Sequence, residues 1–310
     1  MGFIRHVEFL NRHVGDLAGR TIVITGANSG IGFYASRYLA YKGARVVMAC
    51  RNKERAERAK ALIIEVVKDA DIDILHIDQA SFRSIEHFAS ELAEKYPRID
   101  SFVFNAGIFH PRKDALTDDG FPLTIGTNYL GTFYLSHLLE PYFRKMEHVN
   151  VVAVGTLVDH KVNCGELSSH FRDTSLSLYG QYALSKKLMM ANHYHYMNRA
   201  SDNVAYSMTH PGIASTNIVS GASNSFPKWF SRLARSFMNV FTHNPEKAAL
   251  GIVLLSSGDA STHGVYLVPR GPWEIRGYPV AKSVPQRLAK DAEVIHEKTL
   301  SYISALRGQR

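Results

Sequence analysis

The chain has 310 residues, 45% of them hydrophobic, with a formal charge of +8 and a pI of about 9.4. It is long enough to bury a sizeable core, and it contains no apolar run of about eighteen residues that would span a membrane. The basic residues are scattered and come with no zinc-finger or RNA-recognition motif, so a nucleic-acid partner is not expected.

The N-terminal residues Met1 to His6 lack the apolar core of a signal peptide. His6 also stands where a myristoylation motif wants Ser or Thr. The two cysteines, Cys50 and Cys164, have no metal-ligand spacing, and no metal site is expected. Two thiols in a chain of this length fit a reducing compartment, and the cytoplasm is the expected location.

Strands and helices alternate from about residue 20. Thr21 to Ile24 is a short apolar strand. Ile31, Ala35 and Leu39 then recur at helical spacing, and Gly43 is a stop signal. A second strand covers Arg45 to Cys50, followed by a charged helix from Lys53 to Asp69. Ile72 to Ile77 is the third strand, Phe82 to Lys95 a helix, and Ser101 to Phe104 the fourth strand. Val149 to Val154 and Val204 to Met208 read as the fifth and sixth, and Val265 to Val268 as the last.

Apolar strands separated by helices predict an α/β fold: one doubly wound, Rossmann-type parallel sheet with helices on both faces. With no repeat and no linker, residues 1–310 are expected to form a single domain. Within it, residues 213–245 contain the aromatic stretch Phe226 to Phe230; composition fits equally a segment that closes over a hydrophobic substrate and an ordinary pair of surface helices. Asn244 and Pro245 then start another helix, as cap and first helical residue.

Two motifs carry the chemistry. Thr25-Gly26-Ala27-Asn28-Ser29-Gly30-Ile31-Gly32 turns from the first strand into a helix. Glycines there allow close backbone approach, and the helix offers its positive end to a pyrophosphate. Tyr182 and Lys186 lie four apart and share a helix face. A free phenol titrates near about 10, and a neighbouring ammonium favours its ionised form. Lys186 is therefore expected to lower the pKa of Tyr182 into the range of a general acid or base.

The spacing Gly-x-x-x-Gly-x-Gly resembles the cofactor motif of the short-chain dehydrogenase/reductase family, with further matches from about Gly19 through Thr216. The resemblance implies a nicotinamide cofactor held by Gly26, Asn28, Ser29, Gly30, Ile31, Gly32, Asp78 and the Asn105-Ala106-Gly107 motif. It also implies cofactor contacts from Tyr182, Lys186, Pro211, Gly212 and Thr216. Phe104 departs from the family, many members of which carry Asn there. Asn128 matches the tetrad Asn, which supports the lysine through a water in the family. The family's substrate-orienting serine follows the fifth strand, where this chain has Thr156. Threonine keeps the hydroxyl but adds a methyl and a stiffer χ1. Ser169 is a rival with the commoner distance to Tyr182. Strand context favours Thr156, because Ser168 and Ser169 fall in an apparent insertion that resembles the retinol-dehydrogenase-like branch.

Arg51 follows Cys50, where members that prefer NAD carry Asp. A guanidinium suits a 2′-phosphate, so NADP(H) is expected over NAD(H); the alternative is a surface arginine opposing an acid on the next helix. The implied activity interconverts a ketone or aldehyde and its alcohol. Phe109, Trp229 and Phe230 point to an apolar small-molecule substrate, with homo-oligomer formation left open. Two rivals remain: a nucleotide-binding protein with weakened catalysis, and a reductase of carbon–carbon double bonds on the same scaffold.

Overall fold

The computed structural model describes residues 5–109, 112, 114–157, 162, 164–212 and 244–308. A single eight-stranded sheet runs through it. Its strands are β1 (Thr21–Thr25), β2 (Arg45–Cys50), β3 (Ile72–His76), β4 (Ser101–Phe104), β5 (Val149–Val154), β6 (Val204–Thr209), β7 (Tyr266–Pro269) and β8 (Pro279–Lys282). Their order is β3-β2-β1-β4-β5-β6-β7-β8. The first seven are parallel, and β8 pairs antiparallel with β7, from Tyr266 opposite Lys282 to Pro269 opposite Pro279.

The strands are apolar at successive positions because both faces are covered. On β1, Val23 faces one core while Ile22 and Ile24 face the other. On β5, Val151 and Ala153 join the first core, and Val152 and Val154 the second. Each such fully buried side chain contributes roughly 1.5–3 kcal/mol by leaving water. The second core is closed by α1 (Val7–His13), α2 (Gly30–Tyr41), α3 (Lys53–Val66) and the helix Leu250–Ser256. The first is closed by α4 (Phe82–Lys95), Thr132–Phe143, the long helix Leu178–Asn198 and the C-terminal helix Ala292–Gly308.

The sequence reading needs two corrections at element level. Val265 to Val268 is not the last strand: β8 follows, a short edge strand that opens on Pro279. Proline is tolerated there because an edge strand's first residue need not donate to the ladder. The charged helix α3 stops at Val66 rather than Asp69. Asn244 caps the helix Pro245–Ala248 as expected, its Oδ1 accepting the Glu246 N–H at 2.9 Å. Nearly all of the segment 213–245, including Thr216, Trp229 and Phe230, lies outside the described residues.

The strand order reverses between β1 and β4, since β2 and β3 lie to one side and β5 to β8 to the other. Open α/β sheets bind ligands at the carboxyl ends of the strands beside such a reversal. The glycine turn follows β1, and Asn105-Ala106-Gly107 follows β4, so both motifs flank it.

Candidate active site

The glycine turn and the β4 end are built as one piece. Asn105 donates through Nδ2 to the Thr25 and Gly26 carbonyls at 2.7 and 3.3 Å. The N–H groups of Asn105 and Ala106 both donate to Thr25 Oγ1, each at 3.0 Å. This explains two of the glycines. A Cβ on Gly26, at φ 67°, would come within 2.9 Å of Ala106 Cα. One on Gly32 would meet Asn105 Nδ2 at 2.5 Å and the Gly26 carbonyl at 2.6 Å. The sequence reading had these glycines clear the way for a ligand. In the fold, they first let the turn close against β4.

The glycine turn leads directly into α2. Ser29 is its cap residue, yet its side chain caps nothing. By contrast, Asn52 caps α3 through Arg55 N–H at 2.7 Å, and Ser177 caps the Leu178–Asn198 helix through Gly180 N–H at 3.0 Å. The first-turn N–H groups of a helix need partners, and at α2 the residues Gly30, Ile31 and Gly32 present them beside the strand reversal. A pyrophosphate fits that end.

Cys50 lies at the end of β2 beneath the turn. Burial pushes its thiol up to about 11, with the backbone N–H groups of Ala27 and Asn28 pulling the other way. Arg51 is 60% exposed and reaches Asp78 at 3.9 Å. Its acidic neighbour thus lies two residues past β3 rather than on the next helix. Asp78 is itself fixed, its Oδ1 accepting the Ala80 N–H at 2.9 Å. Phe104 packs in the core, with its ring 4.7 Å from that of Phe102.

On the other side of the reversal, side chains dominate. Tyr182 and Lys186 lie on the Leu178–Asn198 helix. Lys186 is buried and donates to the Val154 carbonyl at 3.1 Å. Burial lowers its pKa to about 8. Gly107 closes over it: a Cβ there would be 3.1 Å from Nζ. Asn128, buried in the π-helical turn Gly126–Gly131, clamps the backbone next door. Its Oδ1 accepts the Ile108 N–H at 2.7 Å, and its Nδ2 donates to the Ile108 carbonyl at 2.8 Å and to Ser185 Oγ at 3.1 Å.

Thr156, just past the end of β5, acts on the Tyr182 phenol and favours its ionised form. Ser169 instead donates to the Glu166 carbonyl at 2.7 Å, at an exposed position on the short helix Leu167–His170. The Phe109 ring lies 5.6 Å from that of Tyr182.

The expected electrostatics of Tyr182 are corrected. Burial raises its pKa, and the influence of Thr156 opposes that rise. Lys186 is not among the groups that lower the pKa.

Pro211 and Gly212 follow β6, beside the β5 end, where the Gly155 N–H donates to the Thr209 carbonyl at 2.8 Å. Sequence reasoning missed His210, buried in front of them and bonded to Glu274 at 2.8 Å. No local pattern signals that contact, which joins residues 64 positions apart.

Residues 20–224 match the family model described as short chain dehydrogenase. The chain is 32% identical over 216 residues to retinol dehydrogenase 14 of Mus musculus, covering 66% of this chain and 64% of that protein. It is 41% identical over 141 residues to a WW domain-containing oxidoreductase of Gallus gallus, covering 46% of this chain and 34% of the relative. It thus spans about a third to two thirds of the length of these relatives. A solved structure of an uncharacterised protein from Mycobacterium paratuberculosis superposes with a TM-score of 0.70 at 25% identity, over 93% of this chain and 96% of that one.

Proposed function

Because the chain belongs to the short-chain dehydrogenase family of oxidoreductases, which work with a nicotinamide cofactor, we propose that it interconverts a ketone or aldehyde and its alcohol using NADP(H). The observation that carries this reading is the convergence of Thr156 and Tyr182 beside the buried Lys186, whose ammonium is held on the Val154 carbonyl at the end of β5. It joins a proton donor and an orienting hydroxyl at the carboxyl edge of the sheet.

In the reductive direction Tyr182 gives its phenolic proton to the substrate oxygen, and Thr156 holds that oxygen in line. Lys186 binds the ribose, and Asn128 keeps the Gly107–Ile108 backbone against it. When bound, the nicotinamide supplies or accepts the hydride, and its oxidised form adds a positive charge that favours the phenolate. The turn from Gly26 to Gly32, with Asn28, Ser29, Gly30 and Ile31, holds the pyrophosphate. Asp78, Asn105, Ala106 and Gly107 line the adenosine and ribose side. Pro211 and Gly212 line the nicotinamide side, a role the family resemblance also gives Thr216. Arg51, exposed beside Asp78, supports NADP(H) over NAD(H). Phe109 against Tyr182 supports an apolar substrate. Both cysteines are free thiols, which supports a reducing compartment such as the cytoplasm. Among the described residues no helix is long and apolar enough to cross a membrane.

The test is a panel of apolar aldehydes, ketones and alcohols with NADPH or NADP+, followed at the nicotinamide absorbance. Turnover dependent on NADPH is expected. Tight cofactor binding without turnover on any carbonyl would instead make the chain a nucleotide-binding protein.

A further inference from the structure

The loop between β7 and β8 is pinned to the site through one ring. His210 is buried at the end of β6 with its own N–H on the Leu267 carbonyl at 3.1 Å. Its Nδ1 lies 3.1 Å from the Gly212 nitrogen. A backbone N–H can only donate, so Nδ1 is the acceptor and the ring proton sits on Nε2. Nε2–H then donates to Glu274 Oε2 at 2.8 Å. The Glu274 carboxylate also takes the Lys282 ammonium from β8. These two hydrogen bonds lower its pKa although burial raises it.

The loop itself is held in an unusual shape. Trp273 at φ 51° and Glu274 at φ 59° are adjacent non-glycine residues in the left-handed region. Such conformations persist only where the surroundings fix them. Gly212, at φ 73°, is packed against the same loop: a Cβ there would lie 2.1 Å from the Ile275 carbonyl oxygen and 3.0 Å from that of Glu274. The loop therefore grips Gly212 twice, by direct contact and through the imidazole.

We propose that His210, tied to Glu274, is a positioning residue that fixes the Pro211–Gly212 backbone for the nicotinamide half of the cofactor. The inference rests on the reading that the site takes a dinucleotide. It gives the strained loop a task, since Trp273 and Glu274 hold the carboxylate where the Nε2 proton can reach it.

The two ring nitrogens can be tested apart. In His210→Asn the amide oxygen can stand in for Nδ1 and keep the Gly212 bond, while the Glu274 bond goes. In His210→Gln the longer side chain reaches Glu274 and loses Gly212. Affinities for NADPH and for 2′-phospho-ADP-ribose, which lacks only the nicotinamide, are measured by titration calorimetry on the full chain. His210→Gln should bind NADPH about five- to tenfold more weakly, the loss of about one buried hydrogen bond. It should bind 2′-phospho-ADP-ribose as the unaltered protein does. His210→Asn, which keeps the Gly212 bond and loses the tie to Glu274, should recover only part of the NADPH affinity. Equal losses for both ligands, or no loss for either, would overturn the proposal. If the unaltered protein binds neither ligand, it is the dinucleotide reading that fails, and the positioning role falls with it.

Discussion

The two sides of the strand reversal are made differently. On the β1 side, the glycine turn is held by backbone groups, Thr25 Oγ1 and Asn105, at distances that leave no room for a Cβ on Gly26 or Gly32. On the β5 side, the proposed working parts are side chains: the buried Lys186 at a lowered pKa, the half-buried Tyr182 at a raised one, and Thr156 just past the strand end. One half is specified by shape, the other by desolvated charge. Changes on the first side should alter binding and packing, whereas changes on the second should alter rate and pH response.

The largest effect is expected at Tyr182. Tyr182→Phe keeps the ring and removes the proton, so turnover should fall by about 10²–10⁴, with NADPH affinity measured by fluorescence nearly unchanged. A matching fall in affinity would erase the distinction between the halves. Next comes Thr156. Thr156→Val keeps the shape and removes the hydroxyl, and should lower the rate by about 10² or more. Thr156→Ser should retain activity, and Ser169→Ala, whose hydroxyl is spent on Glu166, should be nearly silent. An inactive Ser169→Ala beside an active Thr156→Val in steady-state kinetics would reassign the hydroxyl.

Lys186 sharpens the comparison through stability. Its pKa in the fold, about 8, is below its ordinary 10.5. Below pH 8 it is charged in both folded and unfolded chains, and burying that charge costs up to about 3 kcal/mol. Lys186→Met should therefore abolish turnover yet raise the melting temperature of the cofactor-free protein at pH 7. The gain should shrink as pH rises from 8 and vanish above the unfolded pKa. A lower melting temperature at pH 7 would mean that the Val154 bond outweighs desolvation.

Arg51→Ala should weaken NADPH binding by about 1.5–3 kcal/mol and leave NADH binding almost unchanged; equal losses would make Arg51 a partner of Asp78 only. Gly32→Ala should destabilise the chain by about 1–3 kcal/mol in denaturant unfolding, because its Cβ overpacks the turn. A silent Gly32→Ala would show that the turn yields more easily than its contacts suggest.

The sequence made one half far more legible than the other. Seven strands were visible because strands covered on both faces are apolar throughout, and the glycine turn because its chemistry is local. The strand β8 was hidden: Pro279 to Lys282 is short, half-exposed and follows a glycine-rich loop. The direction of the Tyr182 shift was also hidden, since a Tyr-x-x-x-Lys spacing tells which residues share a face but not how much water reaches them. Asn128 was found by resemblance alone, and its clamp on Ile108 has no sequence signature. His210 and Glu274 meet only because β6 and β7 are neighbours in the sheet.

Isotope transfer tests the central claim most directly. NADPH carrying deuterium at the transferable position of the nicotinamide ring is incubated with the protein and apolar aldehydes and ketones, and products are read by mass spectrometry. The account predicts one deuterium on the new carbinol carbon, absent with Tyr182→Phe. Cofactor that binds but leaves no label in any alcohol, or label found only across a former carbon–carbon double bond, would contradict it.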